Sequence, residues 1–132
     1  MVKGVPKTHN KISRELVGEP VEIIDGKRAV VRLKTTDIMK VDDKGLVHGG
    51  FTFGLADYAA MLAVNHPYVV LYKANVKFVK PVKVGDVLTA IAEVANVKDK
   101  YYQVEVNVYR NKEKVFTGEF TCVVLDHHVL DK

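Results

Sequence analysis

The chain has 132 residues, 48% hydrophobic and 27% charged, with 20 Lys plus Arg against 16 Asp plus Glu for a formal net charge of +4. That length suits one compact domain, residues 1–132, with a core of its own, and the composition excludes a disordered or membrane-embedded class. The basic excess is too mild to indicate a nucleic-acid binder, and no aromatic-basic interleaving accompanies it, whereas it suits an anionic small molecule.

In chain order, residues 1–10 read as a mobile basic tail without the apolar run of an export signal. Asn10 or Ser13 is placed to cap a short helix ending at Val17, with Gly18 as its stop. Residues 21–33 read as a hairpin turning at Asp25-Gly26, a pair that tolerates the positive φ of a tight turn. A loop rich in Lys and Asp, 34–47, leads to the most distinctive stretch, His48 to Asn65. From Phe51 to Val64 this stretch is apolar on nearly every side, the pattern of a helix sunk in a core, roughly 20 Å long.

The remainder is strands. Residues 68–79 alternate, with Val70, Tyr72, Ala74, Val76 and Phe78 on one face and Lys73, Asn75 and Lys77 on the other. Lys80 to Asp86 is a corner. Residues 87–97 present Leu88, Ala90, Ala92 and Val94 on one face, small enough to receive a bulky helix. Tyr101–Tyr109, a turn at Arg110–Glu113, and Val115–Leu125 follow. One helix among antiparallel strands implies an α+β architecture with the sheet curled round the helix. Val69, Leu71, Val79, Val87 and Ile91 remain as an apolar surface expected to be an interface. The single Cys122 has no disulfide partner in the chain and reads as a packing residue, which favours a reducing, cytoplasmic setting.

Asp57 is the one strongly polar residue within the apolar helix, and a carboxylate there is costly unless paired, hydrogen-bonded or protonated. Seven residues earlier stands Gly50, within roughly 20° of two full turns and so on the same face, with Gly54 between them. A helix start carries unpaired amides and the positive end of the dipole, so Gly50 N–H suits a developing oxyanion while Asp57 suits attack or activation of water. The competing reading is a packing glycine at Gly54 and a satisfied core polar group at Asp57. His9, His48, His66, His127 and His128 lack the spacing of a helical zinc site, so no metal is expected.

The run His48-Gly49-Gly50-Phe51-Thr52-Phe53-Gly54-Leu55-Ala56-Asp57, with Asp42-x-x-Gly45 before it and Phe78-Val79-Lys80-Pro81-Val82-Lys83-Val84-Gly85-Asp86 after it, resembles the hot-dog-fold acyl-CoA thioesterases, particularly the phenylacetate-degradation subgroup. The likeness spans about residues 15–126. It implies a curved antiparallel sheet wrapped around one long buried helix, a homodimer or dimer of dimers pairing the long post-helix strands edge to edge, and a site combining the His-Gly-Gly loop of one subunit with the helix Asp of its partner. The same-face argument, taken alone, implies a site within one chain.

The resemblance assigns catalytic roles to Asp57, Gly50 and His48, the last orienting the loop or contacting the thioester. It places coenzyme A, part of the substrate rather than a separate cofactor, at Phe78, Lys80, Pro81 and Lys83. Asp42, Gly49, Phe53, Gly54 and Tyr58 border the substrate, although Phe53 and Tyr58 also suit simple core. Two departures stand out. Asp42 replaces the family's Asn and, when ionised, donates nothing. Leu71 and Tyr72 stand where some relatives carry a water-positioning Ser or Thr. The alternatives are a non-catalytic acyl-CoA or acyl-carrier sensor on the same fold and a hot-dog hydratase or dehydratase.

Overall fold

The computed structural model describes residues 2–131. A short helix α1 (Arg14–Val17) leads into the hairpin β1 (Glu19–Ile24) and β2 (Arg28–Lys34). Gly26 at its tip adopts φ +69°. After a 3₁₀ turn at Asp37–Met39, the long helix α2 (Gly49–Val64) is followed by β3 (Val69–Phe78), β4 (Val87–Lys98), β5 (Tyr101–Arg110) and β6 (Glu113–Val124). The strands form one antiparallel sheet in the order β1-β2-β4-β5-β6-β3. β1 and β3 are therefore its edges. The expected curved sheet around a buried helix is present, which is the hot-dog architecture.

The core explains why α2 is apolar all round. Leu55, Ala56, Ala59, Ala60, Leu62 and Ala63 are fully buried against the inner sheet face, where Leu88, Ala90 and Ala92 of β4 meet Val104, Val106 and Val108 of β5. Small residues on both sides let helix and sheet approach closely, and the sheet covers more of the helix than a single stripe.

Three expectations are corrected. The N-terminal residues that the structure describes are not a mobile tail: Lys3 bridges Glu22 in parallel, Ile23 N donates to Lys3 O at 2.7 Å, and Thr8 is buried. Met1 lies outside the described residues. Within β3 the register shifts between Leu71 and Lys73, so Tyr72 is the extra residue of a bulge. The bulge switches the inward positions from Val69 and Leu71 to Ala74 and Val76, leaving Tyr72 exposed. Val69 and Leu71 thus belong to the core side rather than to an outer interface; Val79 and Val87 do remain exposed.

The loop before α2 is also tied down. Val41 N donates to Leu46 O, Val47 N to Val82 O, and His48 N to Met39 O, all within 2.9 Å, while the Met39 side chain is fully buried. The chain consequently enters α2 from a fixed platform.

Candidate active site

α2 begins two residues before the apolar run, at Gly49, with His48 in the N-cap position but making no side-chain cap. The first amides of a helix have no intrahelical acceptor, and Gly50 is exposed, so its N–H is open to a ligand. A Cβ on Gly50 would lie 2.8 Å from His48 Nε2. The imidazole therefore rests over this residue, and a side chain there would have to push the ring aside.

Asp57 is half-buried, two turns further on. Its Oδ1 is enclosed without a hydrogen-bond partner. Burial pushes the carboxyl up to about 6, with no neighbouring charge contributing. The ring of Phe53 packs on Phe120 of β6 at 5.5 Å. One helical turn beyond Phe53, about 6 Å, brings Asp57 level with Cys122, two residues beyond Phe120 on the strand. The buried Cys122 thiol is pushed up to about 12, mainly by burial and then by the charge of Asp57. It is a packing residue, as its sequence context indicates.

Beside the helix start lies a hollow of about 270 Å³ whose walls include Leu46, Gly49, Thr52, Phe78, Pro81 and Val82. Phe78 is half-exposed; its ring stacks edge-on against Phe116 at 5.1 Å and covers Gly49, where a Cβ would come within 3.1 Å of it. Lys80 also lines the hollow and pairs with Glu113 at 3.1 Å. Lys83 lies outside it and serves the corner through its backbone: its N–H donates to Asp86 Oδ2 and its carbonyl accepts from Thr35 Oγ1. Arg110, which the sequence places only in a turn, pins the corner by donating to Pro81 O and Asp86 Oδ2, each at 2.9 Å, and by pairing with Glu113.

Two residues assigned to the substrate turn elsewhere. A Cβ on Gly54 would meet Val17 of α1 at 3.5 Å, so α1 lies along that part of the supposed open stripe. Tyr58, 1% exposed, faces the N-terminal segment, 6.4 Å from the His9 ring, and belongs to the core. The apolar pattern could not show this, because it does not say which side of α2 the preceding chain covers.

Asp42 is explained by the loop it builds. Its Oδ1 accepts from Lys44 N at 3.0 Å and Leu46 N at 3.2 Å, a turn that an Asn carbonyl would hold equally well. Gly45 within this turn has φ +84°. The substitution Asp42→Asn is accordingly expected to change stability by less than about 0.5 kcal/mol, whereas Asp42→Ala loses both bonds and costs about 1–2 kcal/mol. Urea unfolding together with hydrogen exchange at the Leu46 amide checks both values.

Residues 44–117 match the sequence model of the thioesterase superfamily, a span running from the loop through the helix to β6. The chain belongs to that superfamily. Among its relatives, methylthioribose-1-phosphate isomerase of Aquifex aeolicus is 56% identical over 119 residues, covering 90% of this chain but 26% of that protein. The transcription factor FapR of Caldanaerobacter subterraneus is 32% identical over 126 residues, covering 96% of this chain and 63% of FapR. The chain thus spans only part of either relative's length. The crystal structure of an uncharacterized protein, PH1136 from Pyrococcus horikoshii, superposes with a TM-score of 0.95 at 60% identity, covering 99% of this chain and 100% of that one.

Within this superfamily frame, the helix start, Asp57 and the Phe78–Val82 wall all lie on the helix side of the sheet. Among the described residues no group of three His, Cys, Asp or Glu side chains could hold a metal ion. No helix is long and apolar enough to cross a membrane.

Proposed function

We propose that the chain hydrolyses an acyl-CoA thioester, with Gly50 N–H gripping the carbonyl oxygen and Asp57 activating water. The observation that carries this reading is the enclosed, unpartnered Asp57 carboxylate with its pKa pushed to about 6. A carboxylate raised towards neutrality is a better proton acceptor yet still ionised at pH 7. Water attacks the carbonyl carbon as Asp57 takes its proton, the oxyanion forms against Gly50 N–H, and collapse expels coenzyme A as the thiol with that proton returned. In the nucleophilic variant Asp57 attacks directly and a mixed anhydride is hydrolysed. Single turnover in isotopically labelled water distinguishes them, because only the anhydride route can leave label in the Asp57 carboxylate.

Seven residues of α2 separate the two groups by about 10 Å along the axis. An amide hydrogen bond and a reacting carbonyl each need contact near 3 Å, so one thioester does not reach both groups of a single chain. This supports a site shared between copies, paired along the open edge of β3, with Gly50 from one and Asp57 from the other. His48, resting over Gly50, would orient the entering carbonyl, and Phe78, Lys80 and Pro81 would flank the pantetheine arm. A coenzyme A substrate and a lone unpaired cysteine suit a cytoplasmic setting.

Similarity over 96% of the chain to a protein named as a transcription factor rather than a hydrolase supports a second reading, a domain of this fold that binds its ligand without cleaving it. A panel of acyl-CoAs followed by free-thiol release separates the two. Turnover in the parent that is lost in Asp57→Asn supports the hydrolase. Tight binding without turnover supports the sensor.

A further inference from the structure

A second hollow, about 530 Å³, lies between the N-terminal segment and the start of β3, with a floor including Ile12 and Val69 and a rim including Lys7, Lys11, Tyr68 and His128. No carboxylate lines it. Lys7 is ion-paired with Asp25, but Lys11 has no such partner among the described residues. His128 Nδ1 accepts from Leu130 N at 3.0 Å, which leaves its Nε2 to carry the proton and donate outward. Tyr68 is 38% exposed, a ring available for stacking beside these donors. An apolar floor, an aromatic wall, the Lys11 ammonium and the outward His128 N–H suit a phosphate-bearing nucleotide.

The position of this hollow matters as much as its chemistry. It adjoins Val69 and Val70 at the start of β3, whereas the hollow beside the helix start adjoins Phe78 and Val79 at the other end. Along one strand these ends are roughly 30 Å apart. Antiparallel pairing of two β3 edges reverses one strand and sets the start of each beside the end of the other. A pairing centred on the middle of β3 brings the two hollows together across the pair.

We propose that the hollow at the N-terminal segment seats the nucleotide end of a coenzyme A thioester whose pantetheine arm lies in the Phe78–Val82 hollow of a second copy, an inference that rests on the acyl-CoA reading above. Lys11 and His128 meet the phosphates, and Tyr68 stacks on the base.

The test is a calorimetric titration of the whole protein with free coenzyme A and with pantetheine, which lacks the nucleotide. The parent is expected to prefer coenzyme A, and Lys11→Glu and Tyr68→Ala are each expected to reduce that preference by about fivefold or more, the lower bound for a base on an aromatic ring. A preference unchanged in both variants, or no preference in the parent, overturns the proposal. A protein that sediments as a monomer while keeping the preference overturns the cross-copy placement. Binding does not require turnover, so a protein that prefers coenzyme A but cleaves no thioester refutes hydrolysis and leaves the nucleotide seat standing.

Discussion

Asp57→Asn is expected to lower turnover of an acyl-CoA by at least about a hundredfold and, at neutral pH, to make the protein more stable. Both effects have the same origin. Burial raises the Asp57 carboxyl from 3.8 to about 6 in the folded chain, so the ionised form is what folding disfavours. Below about pH 4 the carboxyl is protonated in both states and costs nothing; between about pH 4 and 6 the folded state holds more protons and stability falls as pH rises; above that range the full penalty is present. The penalty is at most about 3 kcal/mol and less in practice, because Asn leaves its own buried amide oxygen unpaired. Urea unfolding at about pH 4 and pH 7 should show the variant's advantage only at the higher value. Thiol release by the parent should fall away below about pH 6, where the base is protonated. Equal turnover in parent and variant would exclude Asp57 from the chemistry, and equal stability at pH 7 would show that its charge is compensated.

The outline of the fold was legible because its signals are local. The apolar run of α2 exceeds any amphipathic stripe, Asp25-Gly26 announces a hairpin, and the small apolar face of β4 complements a thick helix. Asp57 stood out for the same reason, as a charge that the run around it does not accommodate, and its Oδ1 is indeed enclosed without a partner. What escaped was set by distant contacts. The β3 bulge leaves no glycine or proline to mark it; strict alternation from Val70 to Phe78 reads as one face, although Tyr72 interrupts it. Gly54 was placed by helical phase and Tyr58 by the family resemblance, but neither reveals that α1 and His9 lie against them. The role of Asp42 depends on two loop amides, and the departure from Asn loses significance once its acceptor oxygen is seen to be the atom in use.

The largest loss of stability is expected at Asn65, which the sequence places at the end of the helix. Asn65 adopts φ 52° and ψ 45°, and its N–H closes α2 on Met61 O. Its side chain then fastens the N-terminal segment: Oδ1 accepts from Lys7 N at 2.8 Å, while Nδ2 donates to Val5 O at 2.9 Å and to Asp25 Oδ1 at 2.8 Å. Only 3% of the residue is exposed, so water does not replace these bonds. Asn65→Ala removes all three and places a residue with a poor left-handed preference at the cap, for an expected cost of about 3–4 kcal/mol. Asn65→Gly keeps the backbone and loses only the side-chain bonds, so the difference between the variants isolates the strain. Hydrogen exchange should accelerate at Lys3, Lys7 and Ile23, whose amides depend on the fastened segment, while amides of β5 and β6 keep their protection. Exchange at those three positions as slow as in the parent would mean that the segment is held by its apolar contacts instead. Because the same segment walls the hollow assigned to the nucleotide, its release should also erase the preference for coenzyme A over pantetheine without altering Lys11 or Tyr68, which ties the ligand site to the amide that closes the helix.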